Sequence, residues 1–407
     1  MRKLWVRIHQ LLGLGAGSVL AVVGLSGALL ASEDAVVPWL NRDVRAAPAG
    51  GAEPLEPLAL LAALEQQAPG RAVLSLQISS DPAEPVRATL AGGGERGERR
   101  ALDPYTGQLL EGGARGESFY RRVRELHRWL LAGPFQDRDL GRQIVGACTA
   151  LGAVLLVSGL WLRRPGRIRS ARSWLVPDGR LRGTPQLFNL HAVIGTWALV
   201  PLLLMTLTGL QWSYPSYRAG LYTLAGVAPP ERGRDERVEP QPDGARALAR
   251  AWTAFLTLER ERGRAQEPGF ATATFAAPRG AETAVRVRYL PRAAAHDRAL
   301  DVLLLDAASG RVLERERYAD KALGARLVAS IFALHTGSFF GLAGRVVYLL
   351  ASLGMPFLAV TGWLLWRRRR ARARPRRERQ PGRSWGASDA RAAQRVIMAP
   401  SKRRDAR

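Results

Sequence analysis

The sequence is poor in residues that carry redox or metal chemistry. It contains one cysteine, Cys148, four methionines and five histidines in 407 residues. A single cysteine excludes an intrachain disulfide and a metal site built from several thiolates. Aspartate, glutamate and lysine are absent from the four longest apolar runs. With so few cysteines and methionines, we expect any metal chemistry to depend on histidine, aspartate or glutamate.

The positive charge is large and unevenly placed. The net charge of +25 by itself is compatible with nucleic-acid binding. However, the excess is concentrated in residues 163–182 and 367–407, and each of these stretches borders an apolar run. Basic segments beside apolar spans are typical of cytoplasmic flanks. We therefore expect a lipid bilayer as the partner and no nucleic acid.

Four apolar runs are each long enough to cross a bilayer, which takes about 20 residues. They are residues 11–31, 143–162, 190–212 and 346–366. A cleaved signal peptide is the alternative for the first run, but its length favours a retained anchor. The basic flanks predict both termini in the cytoplasm, with 32–140 and 214–342 on the other side.

The chain is an internal repeat. His9 in the first span and His191 in the third are each followed by glycine four and eighteen residues later. Gly141 and Gly344, before spans two and four, also precede a glycine by eighteen residues. In every span the later glycine follows a hydroxyl residue, in Ser26-Gly27, Ser158-Gly159, Thr208-Gly209 and Thr361-Gly362. Eighteen residues is five helical turns, so we expect histidine and glycine to share a face that another helix approaches closely.

The two segments between spans predict two small α+β domains. Amphipathic helix patterns cover 57–67 and 243–258. The strand patterns that follow them are 72–78, 86–90, 271–275, 284–289 and 302–305. Each copy then has a hairpin in which aspartate precedes glycine by four residues, at Asp103 and Asp306.

The predicted fold is therefore an all-α membrane core of four transmembrane helices with two small α+β extracytoplasmic domains, made by internal duplication. The expected segments are helix 1 at 1–31, domain 1 with the His127 helix at 32–140, helix 2 at 141–162, a basic cytoplasmic loop at 163–187, helix 3 at 188–213, domain 2 with the His335 helix at 214–342, helix 4 at 343–366 and a basic disordered tail at 367–407.

Four of the five histidines occupy matching places in the repeat. His9 and His191 lie at the cytoplasmic ends of spans one and three, and His127 and His335 precede spans two and four on the other side. Two pairs on opposite sides suit two b-type haems, each with one imidazole from each of two helices. Covalent haem attachment is excluded because there is no Cys-x-x-Cys-His motif. Zinc or copper is the alternative, weakened because no cysteine, methionine or carboxylate lies near in sequence.

Other polar residues near the spans have two explanations each. Arg128, Arg142 and Arg345 lie at the outer ends of the spans, where they could pair with haem propionates or anchor at the interface by snorkelling. The fifth histidine, His296, stands beside Asp297 in the second extracytoplasmic segment, and we expect it in a solvated loop.

Four motifs carry a resemblance to a known family. They are RIHQLLGL at 7–14, ELHRWLL at 125–131, NLHAVIGTW at 189–197 and ALHTGSFFGLAGR at 333–345. Together they resemble the PepSY-associated transmembrane family, which includes iron-regulated membrane proteins and ferric-siderophore reductases of the bacterial inner membrane. The resemblance covers about residues 1 to 370. It implies PepSY-like periplasmic domains and a haem-binding reductase, with His9, His127, His191 and His335 as ligands.

The resemblance implies that electrons pass from a cytoplasmic donor to a ferric chelate in the periplasm. Because the tail after Arg370 is short and basic, we expect no flavodoxin-like or nicotinamide-binding domain there. The donor is then a separate flavoprotein or a quinol. Two alternatives stay open: a membrane-anchored PepSY module that binds a peptide or protease, which gives the histidines no role, and a transporter. The transporter predicts broken helices, for which Pro356 is the one hint.

Overall fold

The computed structural model describes residues 1–40, 53–92, 97–110, 114–131, 138–163, 171–229, 243–265 and 269–373. Residues 1–363 form one compact unit, and beyond them the described chain is the end of the last helix. Most of the tail predicted at 367–407, and part of the loop predicted at 163–187, lie outside the described residues.

The helices follow one another around two groups of strands. They are α1 Arg2–Leu14, α2 Ala16–Ala31, α3 Glu33–Leu40, α4 Pro57–Gln67, α5 Ala114–Trp129, α6 Arg138–Arg163, α7 Ala171–Leu175, α8 Gly183–Ser213, α9 Pro215–Leu224, α10 Gly244–Arg264, α11 Leu323–Ala329, α12 Ile331–Thr336 and α13 Gly341–Ala373. Single 3-10 turns cover Tyr318–Asp320 and Ser338–Phe340. The strands are β1 Val73–Ser79, β2 Val86–Leu90, β3 Glu98–Leu102, β4 Phe270–Ala276, β5 Ala284–Pro291, β6 Asp301–Asp306 and β7 Val312–Glu316.

Three helices are long and apolar enough to cross a membrane by themselves, namely α6, α8 and the one that contains α13. The fourth candidate is the pair α1 and α2, which bend by 50° at Gly15. The predicted first span is thus a broken helix, whereas Pro356 lies inside a helix that stays continuous. The chain is a multi-pass membrane protein, because such apolar helices are stable only when lipid or other helices cover them.

Glycines set how closely these helices approach. A Cβ built on Gly24 of α2 would lie 2.6 Å from Cβ of Met355 and 2.8 Å from the carbonyl oxygen of Ser352, both in α13. On α6, a Cβ on Gly146 would lie 2.7 Å from Cβ of Ser213 in α8. Since backbone and Cβ atoms cannot move aside, neither crossing has room for a larger residue.

The strands of both extracytoplasmic segments form a single seven-stranded antiparallel sheet, in the order β3-β2-β1-β4-β5-β6-β7. The two copies meet where β1 pairs with β4, for example at Leu76 and Phe275. Helices α4 and α10 cover one face, and Leu60, Leu248 and Phe255 are almost fully buried in one continuous apolar core. The segments predicted as two domains therefore share one sheet and one core.

The predicted helices α4 and α10 and five predicted strands agree closely with these bounds. Strands β3 and β7 were not predicted, because charged residues at 98–100 and 314–316 break the apolar alternation that identifies strands. The two hairpin turns are confirmed. Gly107 and Gly310 have positive φ angles of 70° and 73°, a conformation that glycine adopts without steric cost.

The junction between the copies can be tested by cross-linking. Gln77 of β1 is the register partner of Thr274 of β4, and residues directly opposite in a sheet have Cβ atoms about 5 Å apart. With Cys148→Ser as background, we expect Gln77→Cys combined with Thr274→Cys to form an intramolecular disulfide under mild oxidation. The measurement is loss of thiol alkylation by mass spectrometry.

The matched control is Gln77→Cys with Arg288→Cys. Arg288 of β5 is the partner of Thr274 on its other side, so it lies two strands from Gln77, about 10 Å away. That distance is too long for a disulfide. Equal oxidation of both pairs would contradict the shared sheet.

Candidate metal-binding histidine pairs

The structure brings four histidines together as two pairs. In the inner pair, His9 of α1 and His191 of α8 have ring centres 6.4 Å apart and ring planes at 84°. In the outer pair, His127 of α5 and His335 of α12 have ring centres 6.3 Å apart and ring planes at 70°. These are the two pairings that the repeat predicted.

The inner pair is held by hydroxyl groups on two further helices. Nδ1 of His9 lies 2.8 Å from Oγ of Ser158 in α6, and Nδ1 of His191 lies 2.7 Å from Oγ1 of Thr361 in α13. Each hydroxyl donates its own hydrogen to a backbone carbonyl of its helix, at 3.1 and 2.8 Å. The hydroxyl oxygen therefore accepts, and Nδ1 of each histidine is the donor.

The outer pair is held in the same way, with backbone carbonyls added. Nδ1 of His127 lies 2.9 Å from the carbonyl oxygen of Val23 in α2, and Nδ1 of His335 lies 3.1 Å from that of Met205 in α8. Second acceptors are the hydroxyl oxygens of Ser26 and Thr208, at 3.2 and 3.0 Å. Because a carbonyl only accepts, Nδ1 carries the proton in both rings.

This proton placement leaves Nε2 of every ring with its lone pair available. Within the described part of the chain, no hydrogen bond involves the Nε2 atom of any of the four rings. A metal–nitrogen bond is about 2 Å and a ring nitrogen lies roughly 1 Å from its ring centre, so two imidazoles on opposite sides of one metal have centres about 6 Å apart. The observed 6.4 and 6.3 Å fit one metal ion between each pair.

A glycine lies beside each imidazole. A Cβ built on Gly159, Gly362, Gly27 and Gly209 would lie 3.2, 3.6, 3.1 and 3.3 Å from Cε1 of His9, His191, His127 and His335 respectively. The part of the neighbouring helix that each glycine accommodates is the imidazole ring. Every ring thus rests on a hydroxyl-glycine dipeptide, and this is the role of the Ser-Gly and Thr-Gly motifs of the repeat.

In the first span, histidine and glycine also serve different sites. The 50° bend at Gly15 separates His9 on α1 from Gly27 on α2, and Gly27 contacts His127 of the outer pair. The expected common helix face does not exist there. In α8, which is continuous, His191 belongs to the inner pair while Thr208 and Gly209 hold His335. The first and third spans therefore each contribute to both sites, whereas Ser158 of α6 and Thr361 of α13 hold the inner pair.

The two pairs are well separated along the membrane helices. Met205, whose carbonyl oxygen accepts from His335, lies fourteen residues after His191 in α8, and at 1.5 Å per residue this is about 20 Å. The intervening region is an apolar cluster around Ala198, Leu202 and Ala351. One site therefore lies near each end of the bundle.

Each histidine pair offers two imidazole nitrogens, so it suits a metal ion whose other ligands come with a cofactor. Searched over the residues that the structure describes, the chain has no group of three or more histidine, cysteine, aspartate or glutamate side chains able to hold a metal ion. Two imidazoles alone do not complete the tetrahedral set that zinc requires. A haem supplies four ring nitrogens and needs only two axial ligands, so two perpendicular imidazoles fit it.

The arginines proposed as propionate partners differ in their surroundings. Arg345 already pairs with Asp34 at 2.8 Å and with Asp297 at 3.3 Å, and the guanidinium of Arg128 lies over the ring of Trp129. Arg142 pairs with Asp139 through one nitrogen, but its Nε is buried and has no partner among the described residues. Of the three, Arg142 has the donor best suited to a propionate.

Sequence reasoning missed two groups near the outer pair. Trp212 of α8 contacts His335, with ring centres 5.0 Å apart. Tyr348 of α13 packs against Gly337, which follows the His335 helix, and its buried hydroxyl has no partner in the described chain. The orphan hydroxyl of Tyr348 and the orphan Nε of Arg142 are both compatible with a polar group supplied by a cofactor. An unpartnered buried polar atom has no sequence signal.

The expectation that His296 is solvated is wrong. Its side chain is only 7% exposed, and Nε2 lies 3.0 Å from Oγ of Ser330 and 3.1 Å from the hydroxyl of Tyr318. Its Nδ1 accepts the backbone N–H of Arg298. Burial lowers the pKa of His296, because desolvation disfavours the charged ring. Because Nδ1 accepts a hydrogen bond, the ring proton lies on Nε2.

Comparison with known proteins agrees with this architecture. No curated protein matches the chain significantly. The model of the family described as the PepSY-associated TM region matches residues 6–369, which include both histidine pairs and the whole sheet. The chain therefore belongs to the PepSY-associated transmembrane family.

Proposed function

We propose that this protein is a haem b oxidoreductase of the bacterial inner membrane. It moves electrons from a cytoplasmic flavoprotein or quinol to a ferric chelate in the periplasm, most suitably a ferric siderophore. The sheet domain then lies on the periplasmic side, in agreement with the basic flanks of the spans.

The main support for the proposal is that both histidine pairs have nearly equal ring-centre distances and the same proton placement on Nδ1. Ring centres at 6.4 and 6.3 Å suit two imidazoles on one iron. Metal-ligating histidines almost always donate their second ring N–H to a carboxylate, carbonyl or water, which fixes the tautomer and makes Nε2 a better ligand. Here hydroxyl and carbonyl oxygens take that place in all four rings.

The residues of this chain have separate tasks. A haem b bound at each pair would supply a one-electron couple between ferric and ferrous iron. His9 and His191 hold the inner site, and their hydrogen bonds to Ser158 and Thr361 orient the rings. The apolar cluster around Leu202 keeps water out of the region between the sites.

The acceptor follows from the chemistry of iron chelates. Hard oxygen ligands hold Fe(III) tightly and hold Fe(II) much more loosely, so one electron delivered to the chelate releases the metal. The transporter alternative also predicts carboxylates inside the membrane, and none of the four apolar runs contains one; among the described residues, the bend at Gly15 is the break found in a span. The binding-module alternative leaves four oriented imidazoles without a role.

Haem content tests the ligands directly. We expect the purified protein to show low-spin b-type bands after dithionite reduction, with about two haems per chain. His9→Ala and His335→Ala should each remove one of the two, because one axial ligand is lost, and the haem that remains is the internal control. A colourless wild-type protein from haem-replete cells would contradict the proposal.

The hydroxyl acceptors can be tested separately from the ligands. Thr361→Ala removes the acceptor of the His191 Nδ1–H, and we expect haem affinity at the inner site to fall by about 10–100-fold. The midpoint potential of that haem should become more positive, because a less basic imidazole stabilises ferric iron less. Thr361→Ser keeps the hydroxyl and is the matched control. Identical redox titrations for both variants would argue against this role.

The acceptor can be tested with the protein reduced in the absence of oxygen. We expect a ferric trihydroxamate to reoxidise the reduced bands and to yield one Fe(II) per electron, measured with a ferrous-specific dye. The gallium(III) form of the same chelator has the same shape but accepts no electron, so it is the control. Equal behaviour of the two chelates would exclude a ferric chelate of this class as acceptor.

A further inference from the structure

The helix that carries His335 is too short to hold its own position. Helix α12 has six residues, Ile331–Thr336, and isolated helices of this length are not stable in water. His127, in contrast, lies on the sixteen-residue α5. Besides the Nδ1 hydrogen bond to Met205, the position of His335 therefore depends on contacts at the two ends of α12.

The start of α12 is held by His296. Ser330, which precedes the helix, is 1% exposed, and its Oγ lies 3.0 Å from Nε2 of His296 and 2.8 Å from the hydroxyl of Tyr318. Since Nδ1 of His296 accepts the N–H of Arg298, Nε2 carries the proton and donates to these oxygens. The three side chains form a closed hydrogen-bonded group at the first turn of α12.

The end of α12 is held by the next residue, Asp297. Gly337 ends the helix with a φ of 79°, and the hydroxyl of Ser338 then donates to Asp297 Oδ1 at 2.6 Å. The other carboxylate oxygen of Asp297 pairs with Arg345 of α13 at 3.3 Å. Adjacent residues of one loop thus hold both ends of the helix.

This loop comes from the sheet. It joins β5, which ends at Pro291, to β6, which begins at Asp301, and both strands lie in the part of the sheet contributed by the second copy. The loop at the corresponding place in the first copy, residues 91–97, reads AGGGERG and has neither histidine nor aspartate. The adjacent histidine and aspartate at this place in the repeat are therefore specific to the second copy.

We propose that His296 and Asp297 are positioning residues for His335, and we call them the His296–Asp297 clamp. They fix α12 at both ends and so set the direction of the outer ligand. They also link that direction to the sheet, because both residues lie in the loop between β5 and β6. The inference rests on the proposed function.

The test uses His296→Phe in the full-length, haem-loaded protein. Phenylalanine keeps an aromatic ring beside Phe339, which lies 5.3 Å from the His296 ring, but it has no hydrogen to donate to Ser330. We expect a changed low-spin electron paramagnetic resonance signal and a shifted midpoint potential for the outer haem alone. The haem ratio should fall from about two toward about one per chain. The inner haem in the same sample is the reference.

Two further variants separate positioning from general damage. His296→Gln retains an N–H donor and a carbonyl acceptor, and we expect it to restore the outer signal in part. Arg292→Ala lies in the same loop but removes bonds to Phe270 and Ser80 of the sheet rather than to α12, and we expect no change. Outer signals in His296→Phe identical to those of the wild type would overturn the proposal.

Hydrogen exchange distinguishes failure of the clamp from failure of the proposed function. We expect amides of residues 323–337 to exchange faster in His296→Phe than in wild type and in Arg292→Ala, whether or not haem is present. A wild-type protein that binds no haem would contradict the proposed function, but the exchange of residues 323–337 would still test the clamp. Unchanged exchange in His296→Phe would overturn the clamp even where haem binds.

Discussion

A hydrogen bond from the imidazole Nδ1 to an oxygen of a neighbouring helix recurs at all four histidines of the bundle. Inside a bilayer an unsatisfied polar hydrogen costs several kcal/mol, so each ring is pinned to the one place where an acceptor exists. Glycine beside the acceptor leaves the space that the ring needs, as Gly159 does for His9. Because α8 and the α1–α2 pair each contribute to both sites, the register of these helices is tied to the geometry of both pairs.

The internal duplication explains why there are two such sites and also why they differ. Two copies related by the repeat meet at β1 and β4, so a single sheet and core serve both halves. The duplicated elements have since diverged. His127 lies on a long helix, whereas His335 lies on six residues held by His296 and Asp297. The site nearest the sheet is thus the one with a direct structural link to it.

Much of this could be predicted from the chain alone. Apolar length predicted the spans, alternation predicted five of the seven strands, and the repeat predicted which histidines pair. Part of what failed depends on contacts between residues distant in sequence. His296 has charged neighbours in the chain and was expected in solvent, but Ser330 and Tyr318, 34 and 22 residues away, bury it. The bend at Gly15 was missed because glycine in an apolar run is compatible with a straight helix.

Duplication, four membrane spans and four histidines in equivalent places can be read from the amino-acid sequence, because hydrophobic length and repeat spacing are local properties. The role of the Ser-Gly and Thr-Gly motifs became visible in the packed helices. Spacing along one helix suggested that His191 and Gly209 act together, yet Thr361 on another helix accepts from His191, and Gly209 makes room for His335. Which hydroxyl meets which imidazole depends on how the helices pack side by side, and that packing minimises unsatisfied polar groups over the whole bundle at once.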